Sequence, residues 1–182
     1  MIALKNTKVI RRTVYTALFA ALAFVATVVI HIHIPGPGAT GYVNFGDCVV
    51  LASGLLLGPI YGGLAAGIGC ALGDAWYAHI IYVPGTFVIK FLMAFVSCMI
   101  YRLLSKNKND YKLIPITVAA AIGEVIMVLG YLMYETALPG INFAAALIGV
   151  PANTMQALAG VVLSVLIIKI MKKTNLTDLI KM

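Results

Sequence analysis

The sequence predicts an all-α membrane protein of six transmembrane helices, with both termini cytoplasmic and a long outer loop between the first two helices. Two observations carry this. Hydrophobic residues make up 62% of the 182-residue chain and charged residues only 10%, against about 25% charged in a soluble domain. The thirteen Lys and Arg residues are also clustered rather than scattered. Lys5, Lys8, Arg11 and Arg12 precede the first apolar stretch. Arg102, Lys106, Lys108 and Lys112 fill one connection, and Lys169, Lys172, Lys173 and Lys181 follow the last stretch. The remaining connections carry neither residue type, which orients the chain by the positive-inside rule. The expectation is one transmembrane domain over 1–182, multi-pass in a bacterial cell membrane.

Each span has a boundary signal. Helix 1 is expected over 10–30, long enough for a retained span rather than a cleaved signal. A loop with Pro35, Gly36, Pro37, Gly38 and Gly41 follows. Helix 2 is expected over 45–57, ending at Gly58-Pro59. It is short for a span, so it tilts or starts beneath the outer loop. Helices 3, 4 and 5 are expected over 60–79, 84–104 and 113–136, the last stopping before Pro139-Gly140. The final apolar region, 142–171, exceeds what a bilayer needs. Pro151 interrupts it, which predicts an outer piece, a break, and then the main helix 6.

The formal net charge of +7 is nearly all used by the inward-facing basic clusters. No basic stripe is interleaved with exposed aromatics, so nucleic acid is not an expected partner. Cys48, Cys70 and Cys98 sit in apolar runs without metal or redox spacing and read as small buried hydrophobes. Helices 2 and 3 are rich in small residues, including Gly54, Gly58, Gly62, Gly63, Gly67, Gly69 and Gly73. Helix 1 pairs Ala17 with Ala21, four residues apart. Small residues let helices approach closely in lipid. They fit packing within one bundle or a smooth face for a membrane partner, and spacing alone does not choose.

Lys90 stands apart from the basic clusters, inside an apolar segment. Glu124, Tyr131 and Glu135 fall on one stripe of helix 5, and Gly149, Asn153, Gln156 and Gly160 on one face of helix 6. Asp47 and Asp74 lie at the outer ends of helices 2 and 3, where they either cap helices or join a site. Trp76, Tyr77, Tyr82, His31, His33 and His79 lie in or beside outer loops. A charge in hydrocarbon must be paired or wetted. Either Lys90 forms a structural ion pair with a helix-5 glutamate, or these groups line a ligand pocket beneath the outer loop. Amides (Asn153, Gln156) and rings (Trp76, Tyr131, Tyr134) in the same region suit a small polar heteroaromatic ligand.

The chain resembles the substrate-binding S component of an energy-coupling factor (ECF) vitamin transporter, most closely the hydroxymethylpyrimidine and vitamin B6 subgroup. The likeness is carried by Ala17–Ala21, by Asn44-Phe45-Gly46-Asp47 running into Gly54-Leu55-Leu56-Leu57-Gly58-Pro59, and by Gly62-Gly63 and Asp74. Pro84-Gly85-Thr86-Phe87 leading to Lys90 follows, then Glu124, Tyr131, Tyr134, Glu135, Asn153 and Gln156. It covers nearly the whole length.

The resemblance implies a binding subunit that captures hydroxymethylpyrimidine, or pyridoxine or pyridoxal, under a lid formed by the first outer loop. It implies docking through Ala17 and Ala21 onto a membrane coupling subunit driven by two cytoplasmic ATPases, and toppling in the membrane to release the vitamin inward. Lys90, Glu124, Tyr131, Glu135, Asn153, Gln156, Trp76 and Asp47 are the expected substrate-binding residues. No Walker A sequence occurs, so ATP hydrolysis belongs to partners.

Two other readings compete. His31, His33 and His79 with Asp47 would make a metal-uptake site, since imidazoles two apart on an extended loop can share an ion. An intramembrane enzyme would need a nucleophile–base pair, an HExxH motif or clustered catalytic carboxylates, and none occurs. The chain is therefore expected to be neither an enzyme nor a cofactor carrier.

Overall fold

The computed structural model describes residues 2–29, 31–34, 41–105 and 111–177, with side chains over 7–29, 44–105 and 111–177. In chain order it contains α1 (Ile2–Val29), β1 (His31–Ile34), β2 (Gly41–Asn44), α2 (Gly46–Leu57), α3 (Pro59–Trp76), α4 (Val83–Leu104), α5 (Leu113–Ala137) and α6 (Phe143–Lys173). Four helices are long and apolar enough to cross a membrane: α1 from Thr7, α4, α5 and α6. The hairpin, the start of α2 and the α3–α4 and α5–α6 turns lie at one end of the bundle. The α4–α5 connection and the start of α1 lie at the other.

The segment expected as an irregular loop contains a hairpin. β1 and β2 pair antiparallel, with His31 opposite Asn44 and Ile34 opposite Gly41. Pairing satisfies backbone groups that an open loop at the edge of hydrocarbon would leave to water. The tip, 35–40, lies outside the described residues.

The short helix α2 is the centre of the bundle. Its 12 residues span only about 18 Å at 1.5 Å per residue, against about 30 Å of hydrocarbon. It does not need to span alone, because every residue except Val49 is buried and α1, α3, α4 and α6 all pack on it. It ends at Gly58, whose φ of 93° favours glycine, and Pro59 opens α3. Its start lies beneath β2, where the sequence had allowed it to be hidden.

The small residues of α2 and α3 serve internal packing. A side chain at Gly54 would strike the backbone of Ala94 on α4, and one at Gly69 that of Ala20 on α1. By contrast, Ala17 and Ala21 on α1 are exposed.

α6 corrects the expected break at Pro151. The helix is continuous over 31 residues with the proline inside it. Pro151 offers no N–H to the carbonyl of Leu147, but both residues face outward, so the ring meets no packed neighbour. One turn on, the Thr154 hydroxyl donates to the Val150 carbonyl at 2.8 Å. α1 is also longer than expected, starting at Ile2. α3 stops at Trp76 because the chain turns at Ala78, with φ 60°.

Candidate functional site

Polar side chains meet just below the hairpin. Asp47, in the first turn of α2, and Lys90, two turns into α4, form a buried ion pair. The pairing of Lys90 with a helix-5 glutamate, one of the two readings the sequence left open, is therefore not formed; Asp47 is its carboxylate partner. Nor does Asp47 cap α2, whose N-cap is Phe45 without a side-chain bond. The reason is position: Asp47 enters α2 with its carboxylate turned into the bundle, where α4 presents the cation.

The pair is held from two further elements. Gln156 Nε2 on α6 donates to Asp47 Oδ2 at 2.5 Å, and the Asn44 amide of β2 donates to Gln156 Oε1 at 2.9 Å. Asn44 Oδ1 in turn accepts from the Gly46 amide at 2.7 Å. The hairpin, α2, α4 and α6 are thus joined by one chain of hydrogen bonds, of which the two to Asp47 are charge-assisted. On the other side, Lys90 Nζ lies 5.4 Å from the centre of the Tyr131 ring, and the Tyr131 hydroxyl meets Thr86 Oγ1 at 3.0 Å. An ammonium over an aromatic face gains cation–π attraction.

Glu124 of α5 is buried beside this network, and neither of its oxygens has a hydrogen-bond partner among the described residues. Its carboxyl lies against Gly160 of α6, where an added methyl would overlap it and approach Asp47 Cβ to 3.1 Å. Glu135 lies one stripe-length nearer the hairpin end. It is buried and hydrogen-bonded to Tyr82. Burial pushes the Tyr82 hydroxyl up to about 12, so it stays protonated and donates. Tyr134 ties the same corner, donating to the Ile81 carbonyl at 2.6 Å.

The structure brings together Asp47, Lys90, Glu124, Tyr131 and Gln156 of the expected binding residues. Asn153 is half-buried one turn from Gln156, and Glu135 sits at the periphery. Trp76 is not part of the cluster: it is 69% exposed and packs edge-on against Phe24 at 6.0 Å. Asn44, Thr86 and Tyr82 were not singled out as site residues. Asn44 had a readable signal, a short amide side chain two residues before a glycine amide that it bonds. Thr86 lies four residues before Lys90 and so shares its face.

Of the metal-site alternative, the side chains of His31 and His33 lie outside the described residues. His79 packs between Tyr77 and Tyr82, with ring centres 6.3 and 6.4 Å away. Asp47 has one oxygen on Lys90 and the other on Gln156.

On the exposed side of α1, Ala17, Ala20, Ala21 and Phe24 face Tyr61, Leu64 and Ile68 of α3 across a groove of about 580 Å³.

Residues 7–173 match the family model described as the S component of the ECF-type riboflavin transporter. The chain belongs to this family. The S component is 30% identical over 132 residues to an uncharacterised protein of Pyrococcus woesei, a match covering 72% of this chain and 83% of that one. Its fold is similar to the crystal structure of the S component for biotin from an ECF-type ABC transporter, with TM-score 0.59 and 18% identity over 90% of this chain and 94% of the other. At that identity the likeness concerns the fold. The protein is thus a multi-pass membrane S component, and the Asp47–Lys90–Gln156 network with Glu124 lies at the hairpin end of its bundle.

Proposed function

We propose that this S component captures a small heteroaromatic vitamin or vitamin precursor at the outer face of the cell membrane and delivers it inward. Hydroxymethylpyrimidine is the first candidate, with pyridoxine or pyridoxal next. Both termini lie in the cytoplasm, the hairpin end faces outward, and six helices traverse or pack within the bilayer. The protein acts as a carrier rather than an enzyme. A membrane coupling subunit and two ATPases supply the energy, and α1 docks through Ala17 and Ala21.

The observation that carries this reading is the buried polar cluster beneath the hairpin. A bundle in lipid keeps ionisable groups inside mainly for ligands, ions or relays. Here charged groups, an amide and an aromatic face converge from α2, α4, α5 and α6, with Asn44 of the hairpin hydrogen-bonded to them. Opening the hairpin would break the Asn44–Gln156 bond and uncover the cluster. That fits a lid whose position depends on what lies beneath it.

A second reading has its own support. The matched family is described by riboflavin, which is also heteroaromatic but larger. Native mass spectrometry and thermal shift of the purified protein against hydroxymethylpyrimidine, pyridoxine, pyridoxal, riboflavin and biotin, all in chelator, separates the two. Stabilisation by a pyrimidine or pyridine supports the first candidate. Stabilisation by riboflavin alone replaces it. Stabilisation only after metal is restored would revive the histidine site.

A further inference from the structure

We infer that Glu124 is a specificity-determining residue of the binding site, and that it selects a ligand presenting an amino-bearing or protonated nitrogen edge. This rests on the vitamin-binding reading above and adds the charge and hydrogen-bonding class of the ligand.

The argument begins with which atoms are satisfied. Lys90 is the one buried cation among the described residues, and Asp47 holds it. The other oxygen of Asp47 takes the Gln156 amide, and the Gln156 carbonyl takes the Asn44 amide. The Tyr131 hydroxyl is engaged with Thr86. Each of these groups has its partner from within the protein.

Glu124 differs. It is 2% exposed, and both oxygens lack a donor. Asp47 and Cys48 face it from α2 and Lys90 from α4. On α3, Cys70 interacts with Lys90, Asp47 and Tyr131, and Asp74 with Cys70 and Tyr131, rather than with Glu124. From α6, Gly160 meets the carboxyl with no side chain at all. The site therefore contains two carboxyl groups, Asp47 and Glu124, and one cation, and the cation is committed to Asp47. A buried acceptor left without a donor carries the full desolvation penalty of that group, and more when charged. A protein that keeps such a group in hydrocarbon has a vacancy for a donor.

Gly160 sharpens this. A side chain there would occupy the place of the carboxyl, so the helix contact is shaped around Glu124. Glu124 also borders a crevice of about 350 Å³ between α5 and α6, lined by Ala121, Val128 and Ala157 among others. A ligand whose edge carries only acceptors would set lone pair against lone pair. One whose ring carries an amino group would donate to Glu124 while its face lies near Tyr131 and its other edge near Asn153.

The test compares two probes: hydroxymethylpyrimidine with its ring amino group, and the analogue in which that group is a methoxy group, so that the edge carries only acceptors. Both are titrated calorimetrically into the full-length protein in detergent, as wild type, Glu124→Gln and Glu124→Asp. The amino probe should bind the wild type about tenfold to a hundredfold more tightly than the methoxy analogue. Glu124→Gln, nearly isosteric, should compress that preference to within about threefold at an unchanged thermal midpoint, because an amide both donates and accepts. Glu124→Asp should retain part of it, and it replaces the Gln variant should that one not fold. A purely structural Glu124 would alter stability without altering the ratio. Equal wild-type affinities, or a ratio unchanged in a folded variant, overturn the inference. If no pyrimidine binds and riboflavin does, the pyrimidine reading falls separately. The inference then rests on riboflavin, whose affinity must drop at least about tenfold in Glu124→Gln, and an unchanged affinity overturns it.

Discussion

The carboxyl of Glu124 on α5 packs against Gly160 on α6, and one stripe-length away Glu135 faces Gly149, where an added methyl would lie 3.5 Å from Glu135 Oε2. Eleven residues separate the members of each pair on their own helix, so two antiparallel stripes of equal period mesh, acid against glycine. The two contacts differ in closeness. A methyl at position 160 would overlap Glu124, whereas one at 149 would make ordinary contact. Gly160→Ala should therefore destabilise the protein by about 1–3 kcal/mol through overpacking and weaken ligand binding. Gly149→Ala should be neutral or stabilise by up to about 1 kcal/mol, since alanine is the better helix former. Thermal unfolding of the two variants in detergent checks the contrast. Equal midpoints would mean that the stripes do not mesh this tightly.

Asp47 and Lys90 give a second expectation. Removing one member of a buried ion pair leaves an uncompensated charge and typically costs about 3–5 kcal/mol, while removing both costs much less. Asp47→Asn and Lys90→Met should each lower the unfolding midpoint strongly, and the double variant should recover a large part of the loss. Ligand binding separates stability from recognition: a double variant that is folded but no longer binds places the pair in the site as well as in the core. Additive destabilisation, without recovery, would mean that the two groups are not coupled.

How much of this was legible depends on the kind of information required. Helix ends marked by Gly58-Pro59, Pro84 and Pro139-Gly140 fall within a few residues of their expected places, because backbone limits act locally. The stripe of Glu124, Tyr131 and Glu135 is also a local matter of helical period. The partner of Lys90 was not legible. The sequence gives its depth, but the direction a helix face points depends on packing. Asp47 is 43 residues away, and the helix-5 acids looked nearer only because they share a stripe. The hairpin was hidden by brevity: two strands of four residues flank a run of Pro and Gly, and turn signals outweigh so short an alternation. The break at Pro151 failed because the proline rule assumes a packed neighbour or a soluble helix, and this proline faces outward.

Topology is tested by labelling. The basic clusters predict that the 105–112 connection is cytoplasmic. A cysteine introduced by Asn107→Cys, within the segment 106–110 that lies outside the described residues, should react with an impermeant maleimide only in inside-out vesicles. The native background is low because Cys48, Cys70 and Cys98 are all buried. Reaction in intact cells would invert the orientation and place the hairpin end in the cytoplasm.

The α1 groove gives the final expectation. Ala17 and Ala21 are exposed and form one wall of the groove closed on the other side by Tyr61, Leu64 and Ile68. Internal packing does not explain small residues here, since none of the described residues covers them. Close helix approach in a membrane needs small side chains on at least one partner. Ala17→Trp and Ala21→Trp should therefore leave the unfolding midpoint and the affinity for ligand unchanged, because the polar cluster lies at the hairpin end on α2, α4, α5 and α6. Each should abolish co-purification with the coupling subunit and reduce uptake in cells to background. Leu22→Trp, also exposed on α1 but outside the groove, should assemble normally. If Ala17→Trp unfolded the protein, the face would be internal packing. If it assembled like Leu22→Trp, the coupling subunit would dock elsewhere.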